Sequence, residues 1–229
     1  WNKKKYLTKY SKNNLPVPIS IFFKPNSSIS KLLNQIKSYK WENFIIKPNG
    51  GTTAFGFKEF NLSECLNDIF KIQNYLEKNN KYKEFICQKY ISGYNKFGEI
   101  KMIWINNEYS YAVNIKRKTL NSPGGKDEIV KYVDEKLINE CKIIGKKALE
   151  LFPPIIINNK KVKPVFIRTD FACCLNDDNN SKKYFLNEIE NQCAHSYSDK
   201  PNINYPFMEV MAEAFVKKAY ELVQLGFNK

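Results

Sequence analysis

Two segments of the 229-residue chain bring acids together: Arg168-Thr169-Asp170 and Leu186-Asn187-Glu188-Ile189-Glu190. Both alternate as strands do. A hairpin centred on Asn179 sets Asp170 opposite Glu188, and side chains two apart on a strand share a face, so Arg168, Asp170, Glu188 and Glu190 project together. Three carboxylates in one place repel one another, and a divalent cation relieves that repulsion. A few hard oxygen ligands suit magnesium that is also held by phosphate oxygens. The alternative is a strand face of salt-bridged acids.

A second group is Lys47-Pro48-Asn49-Gly50-Gly51-Thr52-Thr53-Ala54-Phe55-Gly56. Its glycines let backbone approach a ligand, and successive N–H groups with the two threonine hydroxyls could cradle phosphate, with Lys47 as a point charge. It lacks both the Gly-Lys-Ser/Thr of a Walker loop and the spacing of a dinucleotide fingerprint. An ordinary Gly-Gly turn is the alternative. Third, the apolar strand Phe85-Ile86-Cys87-Gln88-Lys89-Tyr90-Ile91 ends in polar groups and Gly93, where strand backbone can offer a donor and an acceptor to an adenine edge. Lys116-Arg117-Lys118 ends another strand and could meet phosphate or form a solvated basic edge.

Periodicity supplies the elements that must hold these groups. Ile29, Leu32, Leu33 and Ile36 predict a short helix behind Ser27 and Ser28, and residues 44–47 and 54–60 predict strands flanking the Gly-rich turn. An amphipathic helix is expected over Leu66 to Leu76, and extended chain over Glu84 to Ile91. Glu99 to Ile105 and Tyr109 to Lys116 form a hairpin through Asn106-Asn107, a residue type that tolerates positive φ. The apolar stripe from Ile129 to Leu149 predicts one long helix over 128–151. Strands follow at 165–173 and 183–190, and a last helix from Met208 stops at Gly226. This order points to an α+β protein with a mostly antiparallel sheet.

Composition narrows the class. With 43% hydrophobic and 14% aromatic residues the chain is globular in type, and no apolar run reaches the length that crosses a bilayer. Six cysteines, none in a CxxC pair, suit reduced, intracellular thiols and a cytoplasmic setting. The net charge of +14 invites an anionic partner, and Lys3 to Lys47 concentrate much of it. Yet only Arg117 and Arg168 are arginines, and the Lys, Asn, Ile, Tyr and Phe excess matches an AT-rich coding bias. A basic nucleic-acid-binding module is therefore the rival from another class, disfavoured because lysines and aromatics form no stacking platform.

Taken in order, these pieces resemble the ATP-grasp superfamily. Arg168-Thr169-Asp170-Phe171 with Leu186-Asn187-Glu188-Ile189-Glu190 is similar to the Arg-x-Asp-Phe and Leu-Asn-Glu-Ile-Asn signatures of the D-alanine:D-alanine ligases, and ribosomal-protein glutamate ligases share the layout. Glu190 stands where Asn is usual, and Gln88 where Glu is more common. The Pro-Gly turn that follows the metal strand in D-alanine ligases is replaced by Asn191 to Ser196, which speaks against D-alanine specificity.

The resemblance implies two α+β subdomains with largely antiparallel sheets sandwiching ATP, here residues 1–86 and 87–229, without the N-terminal domain that precedes them in many members. It implies ATP and magnesium, as two ions, as cofactors. ATP would be held by Lys47, Gly50, Gly51, Thr52, Thr53, Gly56, Gln88, Lys89, Tyr90, Ile91 and Glu99, the last at the ribose. Asp170, Glu188 and Glu190 would hold the metals; Arg168 and Lys116 would serve catalysis; Lys101, Lys118 and His195 would lie on the substrate side. The activity implied is carboxylate–amine ligation through an acyl phosphate, on a small-molecule or peptide acceptor and away from any membrane. The alternative is a kinase acting on a polyanionic hydroxyl compound such as an inositol phosphate.

Overall fold

The computed structural model describes residues 3–50, 56–91, 93–117, 128–133, 138–175, 182–191, 195–200 and 202–227. Helix α1 (Lys3–Lys12) comes first, then strand β1 (Ser20–Phe23), α2 (Ile29–Ser38), β2 (Asn43–Pro48), β3 (Lys58–Asn61), α3 (Leu62–Asn67), α4 (Phe70–Lys78) and β4 (Phe85–Lys89). These strands form an antiparallel sheet in the order β1-β4-β2-β3. Alternation sends Ile21, Phe23, Phe44, Ile46, Phe60, Phe85 and Cys87 to one face, where they pack with Leu32, Leu33 and Ile36 of α2 and Ile72, Tyr75 and Leu76 of α4. The Ser28 side chain accepts from Lys31 N–H and caps α2, as its position predicts. The single helix expected over 66–76 is two: α3 ends at Asp68, whose side chain accepts from Phe70 N–H at the start of α4.

Beyond α5 (Gly93–Phe97) lie β5 (Glu99–Ile105), β6 (Glu108–Arg117), β7 (Glu128–Tyr132), α6 (Asn139–Leu151), the small hairpin β8 (Ile155–Ile157) and β9 (Lys160–Val162), β10 (Phe166–Leu175), β11 (Lys182–Glu190) and α7 (Phe207–Gln224). The second sheet is also antiparallel, in the order β11-β10-β5-β6-β7. Asn106 and Asn107 adopt φ of 50° and 66°, as the β5–β6 turn demands. Gly226, at φ 85°, follows the end of α7 in the left-handed conformation that closes a helix.

The long helix expected over 128–151 is corrected. Residues 128–132 pair along β6 as the edge strand β7, and among the described residues of that span the helix covers 139–151. Ile129 and Val130 are β-branched residues that suit a strand as well as an apolar helical stripe.

One face of the second sheet carries Ile100, Met102, Trp104, Ile167, Phe171, Leu186 and Ile189 against α6. Tyr6, Leu7 and Tyr10 of α1 complete that core, with Tyr10 Oη donating to the Ala148 carbonyl at 3.2 Å. So α1 joins the second sheet's core, and β4 carries the first sheet on to Lys89. The opposite face is covered at its far end by α7 and by Tyr197 and Ile203. Cys65, Cys87, Cys141 and Cys173 are buried and not disulfide-bonded. No described helix is long and apolar enough to cross a membrane.

Gly145 marks the tightest approach of α6 to the sheet, since a Cβ there would stand 2.4 Å from Trp104 Cζ2. Gly145→Val should therefore lower stability by about 1–3 kcal/mol through overpacking, read as a reduced urea midpoint at unchanged m-value.

Candidate active site

The polar part of the second sheet's outer face is built by strand pairing. In β10–β11 the register sets Arg168 against Glu190 and Asp170 against Glu188, as the hairpin arithmetic predicts, and slips by one beyond Asp170 so that Asn187 bulges. In β10–β5 it sets Asp170 directly across from Lys101, and Glu99 lies two residues along β5 on the same face. Asp170 (1% exposed), Glu99, Lys101 and Arg168 are all buried. Lys101 Nζ lies 2.7 Å from Asp170 Oδ2 and 2.7 Å from Glu99 Oε2. Arg168 donates from Nε to Asp170 Oδ1 at 2.7 Å, and from one Nη to Asp170 Oδ2 at 2.9 Å and Glu190 Oε2 at 2.6 Å. Its other Nη donates to the His195 carbonyl at 3.1 Å. Glu99 Oε1 accepts from Asn187 Nδ2 at 3.0 Å, and Glu188 Oε1 meets Lys3 Nζ at 2.6 Å.

Burial works to raise the Asp170 carboxyl, but Arg168 and Lys101 outweigh it and bring it down to about 2. Burial likewise works against the Lys101 ammonium, and Asp170 and Glu99 hold it well above the ordinary lysine value. Glu190 goes the other way. Burial raises it, and the carboxylates of Asp170 and Glu188 add to the rise that Arg168 only partly opposes.

The first sheet's other face carries Ser20, Phe22, Ile45, Lys47, Ile86 and Gln88; Ile45, Ile86 and Gln88 are buried there, and Phe22, beneath Lys4 of α1, packs against the second sheet's core. Burial, with some repulsion from Lys3, pushes the Lys47 ammonium down to about 8, and Glu188 and Glu99 pull the other way. Lys47 of one sheet thus lies within electrostatic reach of two acids of the other. Among the described residues no hydrogen-bond or ion-pair partner holds its ammonium. Gln88 is buried and donates to Ser20 Oγ at 2.7 Å.

No protein-family profile matches this sequence, and no curated protein matches it either. Solved structures do match. The D-cycloserine synthetase DcsG superposes with a TM-score of 0.68 at 16% identity, over 94% of this chain and 69% of its own. The D-alanine–D-alanine ligase from Bacillus anthracis, complexed with ATP, gives 0.63 at 14% identity over 96% and 67%. The ATP-grasp ligase PsnB, complexed with a minimal precursor, Mg and ADP, gives 0.59 at 14% identity over 93% and 58%. The chain has the ATP-grasp fold. It spans between 58% and 69% of the length of these three proteins.

Against the ATP-grasp expectation the structure gathers some site residues and separates others. Lys47 and Gln88 share one face of the first sheet, whereas Lys89 pairs with Phe44, an interior residue of the opposite face, and is exposed there. Tyr90 N–H donates to the Asn43 carbonyl at 3.0 Å, and Ile91 is half-buried. Gly50 and Gly56 both have positive φ, and a Cβ on Gly56 would meet Pro48 Cγ at 2.8 Å; Gly51, Thr52 and Thr53 lie outside the described residues, as does Lys118. Glu99, expected at the ribose, joins the acid cluster. In β6 it is Ile115 that sits across from Glu99, so exposed Lys116 is on the sheet's other side from Arg168. His195 is exposed, and reaches the cluster through its backbone carbonyl, while its Nδ1 accepts from Tyr197 N–H.

Magnesium is the group that fits least. The expected ligands Asp170, Glu188 and Glu190 do stand together, but both Asp170 oxygens are taken by Arg168 and Lys101, and Glu188 and Glu190 each hold a cation. Among the described residues no group of three or more His, Cys, Asp or Glu side chains is arranged to hold a metal ion. The role sequence reasoning missed is that of Lys101 between two of the acids; its only local signal is the Glu99-x-Lys101 alternation, since Asp170 arrives from a distant strand.

Asp170→Asn should cost about 3–5 kcal/mol at pH 7, because two buried cations lose their shared anion. A depressed carboxyl stabilises the fold above the unfolded value of ~3.9, and that contribution fades as pH falls through the folded value. The gap between parent and variant in urea unfolding should therefore shrink from pH 4 toward about 2.

Proposed function

We propose that this chain is the nucleotide-binding part of an ATP-dependent ligase that joins a carboxylate to an amine, with ATP lying between the two sheets. The observation that carries it is the gathering of Glu99, Lys101, Arg168, Asp170, Glu188 and Glu190 on one face by strand register, with Lys47 of the other sheet in electrostatic reach of two of these acids. The shared fold of an ATP-bound D-alanine–D-alanine ligase and of PsnB with ADP supports the same chemistry.

The residues suggest a division of labour. Gln88, with the buried Ile45 and Ile86 on the same sheet face, would set the adenine side of the site, while Lys47 offers the cation for the phosphates. In the first step a substrate carboxylate oxygen bonds to the γ-phosphorus as its bond to the β-phosphate oxygen breaks, releasing ADP. In the second an amine attacks the acyl carbon, the carbon–oxygen bond to phosphate breaks, phosphate leaves and the amine proton passes to solvent. Arg168 is nearly saturated by Asp170, Glu190 and the His195 carbonyl. It therefore acts as the clamp that fixes the acids, a positioning role rather than a direct hold on reacting atoms.

An amino-acid and peptide panel scored by ADP release, with hydroxylamine added to trap acyl phosphate, tests the ligase. Hydroxamate formation is expected; a stable phosphorylated hydroxyl product without hydroxamate would instead mark a kinase and overturn it. Lys47 gives a separate check. Bound polyphosphate favours the protonated ammonium, so at pH 8, where Lys47 is about half-charged, ATP binding should take up a proton. Calorimetry in buffers of differing ionisation heat reads that uptake, and Lys47→Met should abolish it while weakening binding by about tenfold or more.

A further inference from the structure

We propose that Lys101 is a built-in cation: seated between Glu99 and Asp170, its ammonium takes the place a divalent ion would hold on Asp170, so that nucleotide polyphosphate binds this chain without divalent metal. This rests on the cleft being a nucleotide site, and adds how that site balances its charge.

Three observations converge. Lys101 reaches Asp170 and Glu99 at 2.7 Å each from a strand position directly paired with Asp170, so its place is fixed by sheet register and not by a wandering surface side chain. Asp170 has no oxygen left over, since Oδ1 accepts from Arg168 and Oδ2 from both Arg168 and Lys101. The charges nearly cancel as well. The carboxylates of Glu99, Asp170, Glu188 and Glu190 are met by Lys101, Arg168 and Lys3, and Lys47 stands within reach across the cleft. A divalent ion entering at Asp170 would have to expel an ammonium that is itself buried, leaving it desolvated beside another cation, Arg168. A lysine held this way supplies what the acids otherwise lack, positive charge facing the phosphates.

Calorimetric titration of the whole chain with ATP, once in excess EDTA and once in excess magnesium, decides the matter. The parent should bind within about threefold of the same affinity in both. Lys101→Met should bind at least about tenfold more weakly in EDTA and recover with magnesium, and Lys101→Arg should keep the metal independence. Parent binding that needs magnesium overturns the inference and leaves the nucleotide assignment standing. No binding in either condition overturns the nucleotide assignment, and the inference with it. Electron paramagnetic resonance with manganese alone needs no nucleotide. The parent should leave the aqueous manganese signal intact, and a stoichiometric loss that Glu188→Gln abolishes would also overturn the proposal.

Discussion

Asp170 sits out of contact with water and still carries its charge, because Arg168 grips both of its oxygens and Lys101 one of them. A buried anion is tolerable only when such partners are present, and each partner is tolerable only because of the anion. That mutual dependence ties three strands together. Lys101 comes from β5, Arg168 and Asp170 from β10, and Glu190, held by the same guanidinium, from β11. The sheet cannot slip its register without separating these charges, so the cluster pins the strand alignment as well as the local potential.

The two sheets bring unlike groups to the proposed site. The second contributes fixed, mutually paired charges; the first contributes the cation Lys47 beside the buried side chains of Ile45, Ile86 and Gln88. The Lys47 ammonium is kept uncomfortable by burial and the neighbouring Lys3, with only partial relief from Glu99 and Glu188. An anion arriving between the sheets would relieve that imbalance, which is how stored electrostatic cost becomes affinity.

Much of this was legible because it is local. The β10–β11 register follows from a short connection and strict alternation, and it holds through Asp170 and Glu188. The β5–β6 turn and the Ser28 cap are likewise set by neighbouring residues. What could not be read depended on distant partners. Lys101 acquires its role only when β10 lies beside β5, and Lys3 only when α1 reaches Glu188. The β-branched stretch at 129–133 reads equally as a helical stripe until β6 offers an edge to pair with. The resemblance puts Lys116 in catalysis beside Arg168, but pleat parity at Glu99 and Ile115 assigns it to the other side of the sheet.

Helix α1 also shapes how the molecule can be made. Tyr6, Leu7 and Tyr10 find their places among residues of α6, β10 and β11, and the Leu186 N–H is satisfied by the Pro16 carbonyl, yet the whole first sheet intervenes in the chain. During synthesis α1 has to wait, its apolar stripe bare, while the first lobe condenses and until residue 190 has left the ribosome. Docking of α1 is thus a late event, and residues 3–12 should be among the last of these segments to gain protection.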